Sequence, residues 1–207
     1  MQEITVIFWI VILIVSIVIH EVSHGYVANM LGDPTAKYAG RLTLNPLRHL
    51  EVMGSFVVPL LTYMAGGLIF GWAKPVPYNP YNLKYQKWGP AFVAMAGPFS
   101  NFITALFFGL LVQLAVAGTF LLSPALVEIM ITIVFVNVTL MIFNLVPIAP
   151  LDGSKILFAV LPDSMRATAD FIERYGFILL IIFVFFFFSA LSPVIRGVVS
   201  IFTGLNF

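Results

Sequence analysis

No lysine or arginine precedes Lys37, and none stands between Lys87 and Lys155. These two gaps hold the longest apolar runs of the chain. A run of about 20 apolar residues with few charges reads as a membrane span, and in hydrocarbon only a helix or a closed barrel satisfies the backbone. Composition agrees: 61% of the 207 residues are apolar and 9% are charged, against about 25% charged in an ordinary soluble domain. A soluble enzyme and a disordered chain are therefore excluded. A net charge of +1 leaves no electrostatic footprint for nucleic acid. Without cysteine there is neither a disulfide framework nor a thiolate metal ligand. The expectation is an all-α polytopic protein of about five or six transmembrane helices in a lipid bilayer.

The first span covers roughly Ile4 to Leu31. It lacks the basic n-region of a cleavable signal peptide, and Gly32, Asp33 and Pro34 stop it. Arg41-Leu42-Thr43-Leu44 alternates with period two, the pattern of a short strand. Val52 to Trp72 is apolar but broken by Pro59 and Gly66-Gly67. Pro90 to Gly118 is an uninterrupted span. Ser123-Pro124 supplies an N-cap and a first-position proline for the next one, which Pro147 and Pro150 end. Ser164 to Arg174 is amphipathic and reads as a water-facing helix. Tyr175 to about Leu191 is the last clear span, with Ser192-Pro193 and Arg196 interrupting the tail. No appended soluble domain is expected. The chain reads as one membrane domain over 1–207, with a core at about 5–165 and a C-terminal transmembrane segment at about 175–203.

Basic residues orient the spans. Lys37, Arg41 and Arg48 precede Val52 to Trp72, and Lys74, Lys84 and Lys87 follow it. With both loops cytoplasmic, that segment enters and leaves on one side as a re-entrant element, and the first span runs from outside to inside.

Two clusters carry chemistry. His20-Glu21-Val22-Ser23-His24 is H-E-x-x-H. On a helix, i and i+4 share a face, so both imidazoles reach one Zn²⁺, and Glu21 stands beside it as a general base. Composition predicts roughly 0.001 occurrences of such a motif in a chain of this length. Three titratable groups within a membrane helix are expensive and functional by default. The second cluster is Asn144-Leu145-Val146-Pro147-Ile148-Ala149-Pro150-Leu151-Asp152-Gly153. Its prolines break a helix at membrane depth, which is tolerated only in buried protein or beside a wet cavity. A catalytic zinc takes three protein ligands. Asp152 is either the third or a turn residue of an Asp-Gly pair.

These motifs together resemble the site-2 protease family of intramembrane zinc metalloproteases. His20 to His24 is similar to its first signature, and Asn144-x-x-Pro147-x-x-Pro150-Leu151-Asp152-Gly153 to its second. Gly97-Pro98-x-x-Asn101 is similar to a third. Asn45-Pro46-Leu47-x-His49 and Phe70-Gly71-Trp72-Ala73-Lys74-Pro75-Val76-Pro77 resemble the short, single-module prokaryotic members. The likeness covers most of residues 5–165. Glu51 stands where Asp is expected and Ser154 where Gly is common. No PDZ-like or CBS-like domain is expected.

The resemblance implies a metalloendopeptidase that cuts a peptide bond within or near the transmembrane helix of a single-pass membrane protein. It implies one Zn²⁺ per chain on His20, His24 and Asp152, with Glu21 as catalytic base. It places the site inside the cell membrane toward the cytoplasm, and Val52 to Trp72 as a re-entrant β-hairpin or loop between the first core helices. Asn144, Asn101 and His49 are supporting candidates for ligand orientation, oxyanion stabilisation or substrate positioning, with helix packing as the alternative for the asparagines. Two rival functions are a zinc transporter, which would also use intramembrane His and Asp, and an inactive scaffold. A prenyl-protein protease would need another third-ligand motif, which is not found.

Overall fold

The structure is a computed structural model that describes residues 2–51, 54, 57, 64, 74–119 and 122–206. The described residues form helices α1 (Gln2–Met30), α2 (Thr35–Tyr38), α3 (Gly89–Val116), α4 (Pro124–Asn144), α5 (Asp152–Val160) and α6 (Arg166–Thr203). No strand occurs among them. The stretch Arg41 to Leu44 is irregular rather than a strand. A strand needs a partner, and here the Thr43 carbonyl accepts from the His49 ring while the Arg41 side chain turns inward to the Lys74 carbonyl. The re-entrant β-hairpin or loop expected at Val52 to Trp72 lies almost wholly outside the described residues.

Four described segments are long and apolar enough to span a membrane: Phe8–Met30, Gly89–Val116, Pro124–Asn144 and Arg166–Thr203. The chain is thus a multi-pass membrane protein, with four such spans described rather than five or six. The last is one helical run where an interrupted tail was expected. Pro193 costs it only one backbone bond, and Arg196 donates back to Ser192 Oγ at 3.1 Å. A π-helical turn at Phe183–Phe187 lies within the run. At 38 residues the run is about 57 Å long, more than the roughly 30 Å hydrocarbon core. Its start, with Arg166, Asp170, Glu173 and Arg174, is the amphipathic stretch expected to face water. Glu173 pairs there with Lys155 of α5 at 2.9 Å.

Helix α3 is the hub and packs against α1, α4, α5 and the C-terminal half of α6. Its buried face is built from small residues, among them Ala91, Ala94, Ala96, Gly97, Ala105 and Gly109. Membrane helices approach closely along such faces, because the hydrophobic effect does not drive them together in lipid. A Cβ on Gly109 would stand 2.7 Å from the Phe202 carbonyl of α6, which instead accepts from Gln113 Nε2 at 2.8 Å. Large apolar side chains such as Phe107, Leu110, Phe185 and Phe186 point outward, where lipid lies.

Between α1 and α3 the chain is held by Asp33, which is fully buried. Its carboxylate accepts from the Thr35 N–H and hydroxyl, from Asn79 N–H at 2.6 Å and from Asn82 Nδ2 at 2.9 Å. Burial opposes the charge, but these donors, the Thr35 hydroxyl and Asn82 amide foremost, hold the carboxyl below the usual carboxylate range. A depressed folded value means that the stabilisation is present above about pH 4 and is lost as pH falls through that lower value. Asp33→Ala is therefore expected to cost about 2–3 kcal/mol, read as a lower thermal midpoint in detergent at neutral pH. The gap from wild type should narrow on acidification below about pH 4.

Candidate metal centre

His20 and His24 lie in the second half of α1, one helical turn apart, with ring centroids 4.7 Å apart at 88°. One turn earlier on the same face, Ser16 Oγ accepts from Asn137 Nδ2 of α4 at 3.0 Å. This buried bond pins α1 to α4 beside the histidines.

Each imidazole is fixed through Nδ1 by α3. His20 Nδ1 meets Asn101 Oδ1 at 3.1 Å and His24 Nδ1 meets the Val93 carbonyl at 2.7 Å. Both partners are acceptors, so Nδ1 carries a proton in each ring, and in the neutral ring Nε2 presents a lone pair. Val93, Gly97 and Asn101 succeed one another at intervals of four along one face of α3. Gly97 is the point of closest approach. A Cβ there would lie 2.5 Å from His20 Nε2 and 2.5 Å from His24 Nε2, and neither ring is free to swing away.

The third component comes from the break after α4. Pro147 and Pro150 lack an N–H, and Asp152 opens α5. Gly153 lets α5 begin against the end of α4: a Cβ there would overlap the Leu145 carbonyl. Ser154 is fully buried and its hydroxyl donates to the Leu151 carbonyl at 2.7 Å. Asp152 Oδ2 then stands 3.1 Å from His20 Nε2 and 3.4 Å from His24 Nε2. That oxygen is buried and makes no hydrogen bond.

With both rings neutral, two nitrogen lone pairs and a carboxylate oxygen converge here. Three acceptors this close repel one another unless a cation is shared. Two imidazoles and one carboxylate are also a donor set that suits catalytic zinc. The residues present fit such an ion: among the described residues, His20, His24 and Asp152 are the group whose ligand atoms all lie within 4.8 Å of one another.

Glu21 is next in sequence to His20, and its Oε2 accepts from the Val76 N–H at 2.8 Å. Asn101 is fully buried against His20. The other two supporting candidates bond to backbone carbonyls and to Arg41. Asn144 Nδ2 donates to the Leu140 carbonyl of its own helix at 3.0 Å. His49 is buried in the loop after α2, where Nε2 donates to the Thr43 carbonyl at 2.8 Å and Nδ1 faces Arg41 Nη2 at 3.4 Å. The Val93 carbonyl and the Val76 N–H were not foreseen from sequence. Backbone groups carry no residue-type signal, although a single N–H between Pro75 and Pro77 is a visible oddity.

The family model described as peptidase family M50 matches residues 120–188. YwhC of Bacillus subtilis, named as a candidate zinc metalloprotease, is 41% identical over 179 residues, covering 84% of this chain and 78% of its own length. Rip2 of Mycolicibacterium smegmatis, named likewise, is 30% identical over 170 residues, covering 82% of this chain. Rip2 of Mycobacterium tuberculosis H37Rv is 29% identical over 189 residues. The chain spans 63% and 66% of the lengths of these two mycobacterial relatives. No solved structure matches the chain.

Gly97→Ala should push α3 away from the imidazoles and weaken metal binding about 10- to 100-fold, the range seen when the partners that orient metal ligands are lost. Metal titration of the detergent-purified protein, with helix content checked by circular dichroism, reads this directly.

Proposed function

The chain belongs to peptidase family M50, the site-2 protease family, and is a metalloendopeptidase; from that premise we propose that it cleaves a peptide bond within or near the transmembrane helix of a single-pass membrane protein. One zinc per chain is held by His20, His24 and Asp152. The observation that carries this reading is the convergence of two Nε2 atoms on one buried carboxylate oxygen, with Glu21 beside them.

Depth supports the membrane substrate. His24 and His20 stand six and ten residues before the end of the span Phe8–Met30, or roughly 9 and 15 Å along the helix. The basic residues Lys37, Arg41, Lys74 and Lys84 lie in the loop that leaves α1 at this end. By the positive-inside rule, that loop marks the cytoplasmic side of the cell membrane. The protease domain is the whole chain, with its catalytic core at about 5–165.

When bound, zinc supplies Lewis acidity toward the scissile carbonyl and lowers the pKa of a water to about 7. The protein does the rest. Asn101 and the Val93 carbonyl keep both imidazoles in one tautomer and one orientation. Glu21 takes the proton of the attacking water and returns it to the departing amide nitrogen. Small residues on α3 let these groups come close together.

Glu21→Gln should retain zinc and lose cleavage by about 10²- to 10⁴-fold, measured on single-pass membrane proteins co-reconstituted in proteoliposomes. Turnover retained in that variant would remove Glu21 as the base. Zinc flux across the same vesicles would favour transport over proteolysis.

A further inference from the structure

Resting on Glu21 as the base, we propose that the strap Lys74–Asn79 is a positioning element for it, with the Val76 N–H as the group that sets the carboxylate. Pro75 and Pro77 have no N–H, so Val76 carries the one backbone donor between Lys74 and Tyr78. Residues that precede proline are confined to extended backbone, which stiffens both Lys74 and Val76. That single donor is spent on Glu21 Oε2 at 2.8 Å. One carboxylate oxygen is thereby fixed, and the other is left to handle a proton.

The strap is itself held at both ends. At Lys74 the carbonyl accepts from buried Arg41 Nη2 at 2.7 Å, and the N–H donates to the His49 carbonyl at 2.9 Å. At Asn79 the N–H donates to buried Asp33 at 2.6 Å. In the middle, the Val76 side chain is buried against α1 where Gly25 has no side chain. A Cβ on Gly25 would stand 2.8 Å from Val76 Cγ1. Three anchors on a proline-stiffened segment are more than a connecting loop needs. They account for the buried His49 and Arg41, which support the base from a distance through the strap rather than by touching the metal centre.

The test pairs Val76→Pro, which deletes the N–H but suits an extended backbone, with the conservative Val76→Ala, which keeps the N–H. Val76→Pro should retain zinc and lower kcat about 10- to 100-fold with KM within about twofold, while Val76→Ala restores kcat toward wild type. Independently of any substrate, hydrogen–deuterium exchange of the detergent-solubilised protein should show the Val76 amide exchanging at least about 10-fold faster in Glu21→Ala than in wild type. In Glu21→Gln, whose amide oxygen still accepts, exchange should stay near the wild-type rate. The proposal is overturned by equal exchange in wild type and Glu21→Ala, by wild-type kcat in Val76→Pro, by loss of zinc in Val76→Pro, or by an equal fall in Val76→Ala. Failure of the wild type to cleave any membrane substrate would count against the protease reading, and the exchange result would still decide the fate of the strap.

Discussion

Two imidazole Nε2 atoms, acceptors when the rings are neutral, face one carboxylate oxygen at 3.1 and 3.4 Å inside a membrane protein. Left alone, this arrangement is unfavourable, since acceptors crowd together where little water can separate them. A shared cation makes the same geometry favourable. Much of the architecture can be read as what is needed to hold three acceptors in place: α1 carries two on one face, the broken end of α4 delivers the third, and α3 closes the gap. The price of the arrangement is borne in residue size, because α3 must be thin where it meets the histidines. Gly97 meets that need, and the bonds one turn to either side, at Val93 and Asn101, use the approach to lock both rings.

The loop side of the site is organised by backbone groups. Asp33 gathers Thr35, Asn79 and Asn82, while Arg41 and His49 hold Lys74. Between these anchors a proline-flanked segment runs over α1 and meets Glu21. A carboxylate that must exchange protons benefits from one fixed oxygen and one free oxygen. A rigid segment with a single donor provides this with little loss of conformational entropy, because proline has already restricted the chain.

Much of this was legible in the sequence. His20, Glu21 and His24 were readable because helical period and residue type both specify them. For Asp152 the helix break at Pro147 and Pro150 leaves ligand and turn residue both open, and only the resemblance to the family's second signature points to a ligand. Asn101 is legible through the likeness of Gly97-Pro98-x-x-Asn101 to a family signature. Asn144 and His49 show how far residue type reaches: it offers both as partners but not the bonds their side chains make, to Leu140, Thr43 and Arg41. Rotamers and loop paths decide that, and sequence does not carry them. The alternation in Arg41 to Leu44 pointed to a strand because period two can arise from irregular packing as well as from a ladder. The C-terminal tail looked interrupted because a proline and an arginine are strong local signals. A long helix in lipid absorbs both.

Zinc per chain in detergent-purified wild type and Asp152→Ala decides whether His20, His24 and Asp152 form one metal centre. Near-stoichiometric zinc in the wild type, lost or sharply weakened in the variant, is the predicted result. Zinc content unchanged by Asp152→Ala would contradict the account, because it would detach the carboxylate of α5 from the histidines of α1.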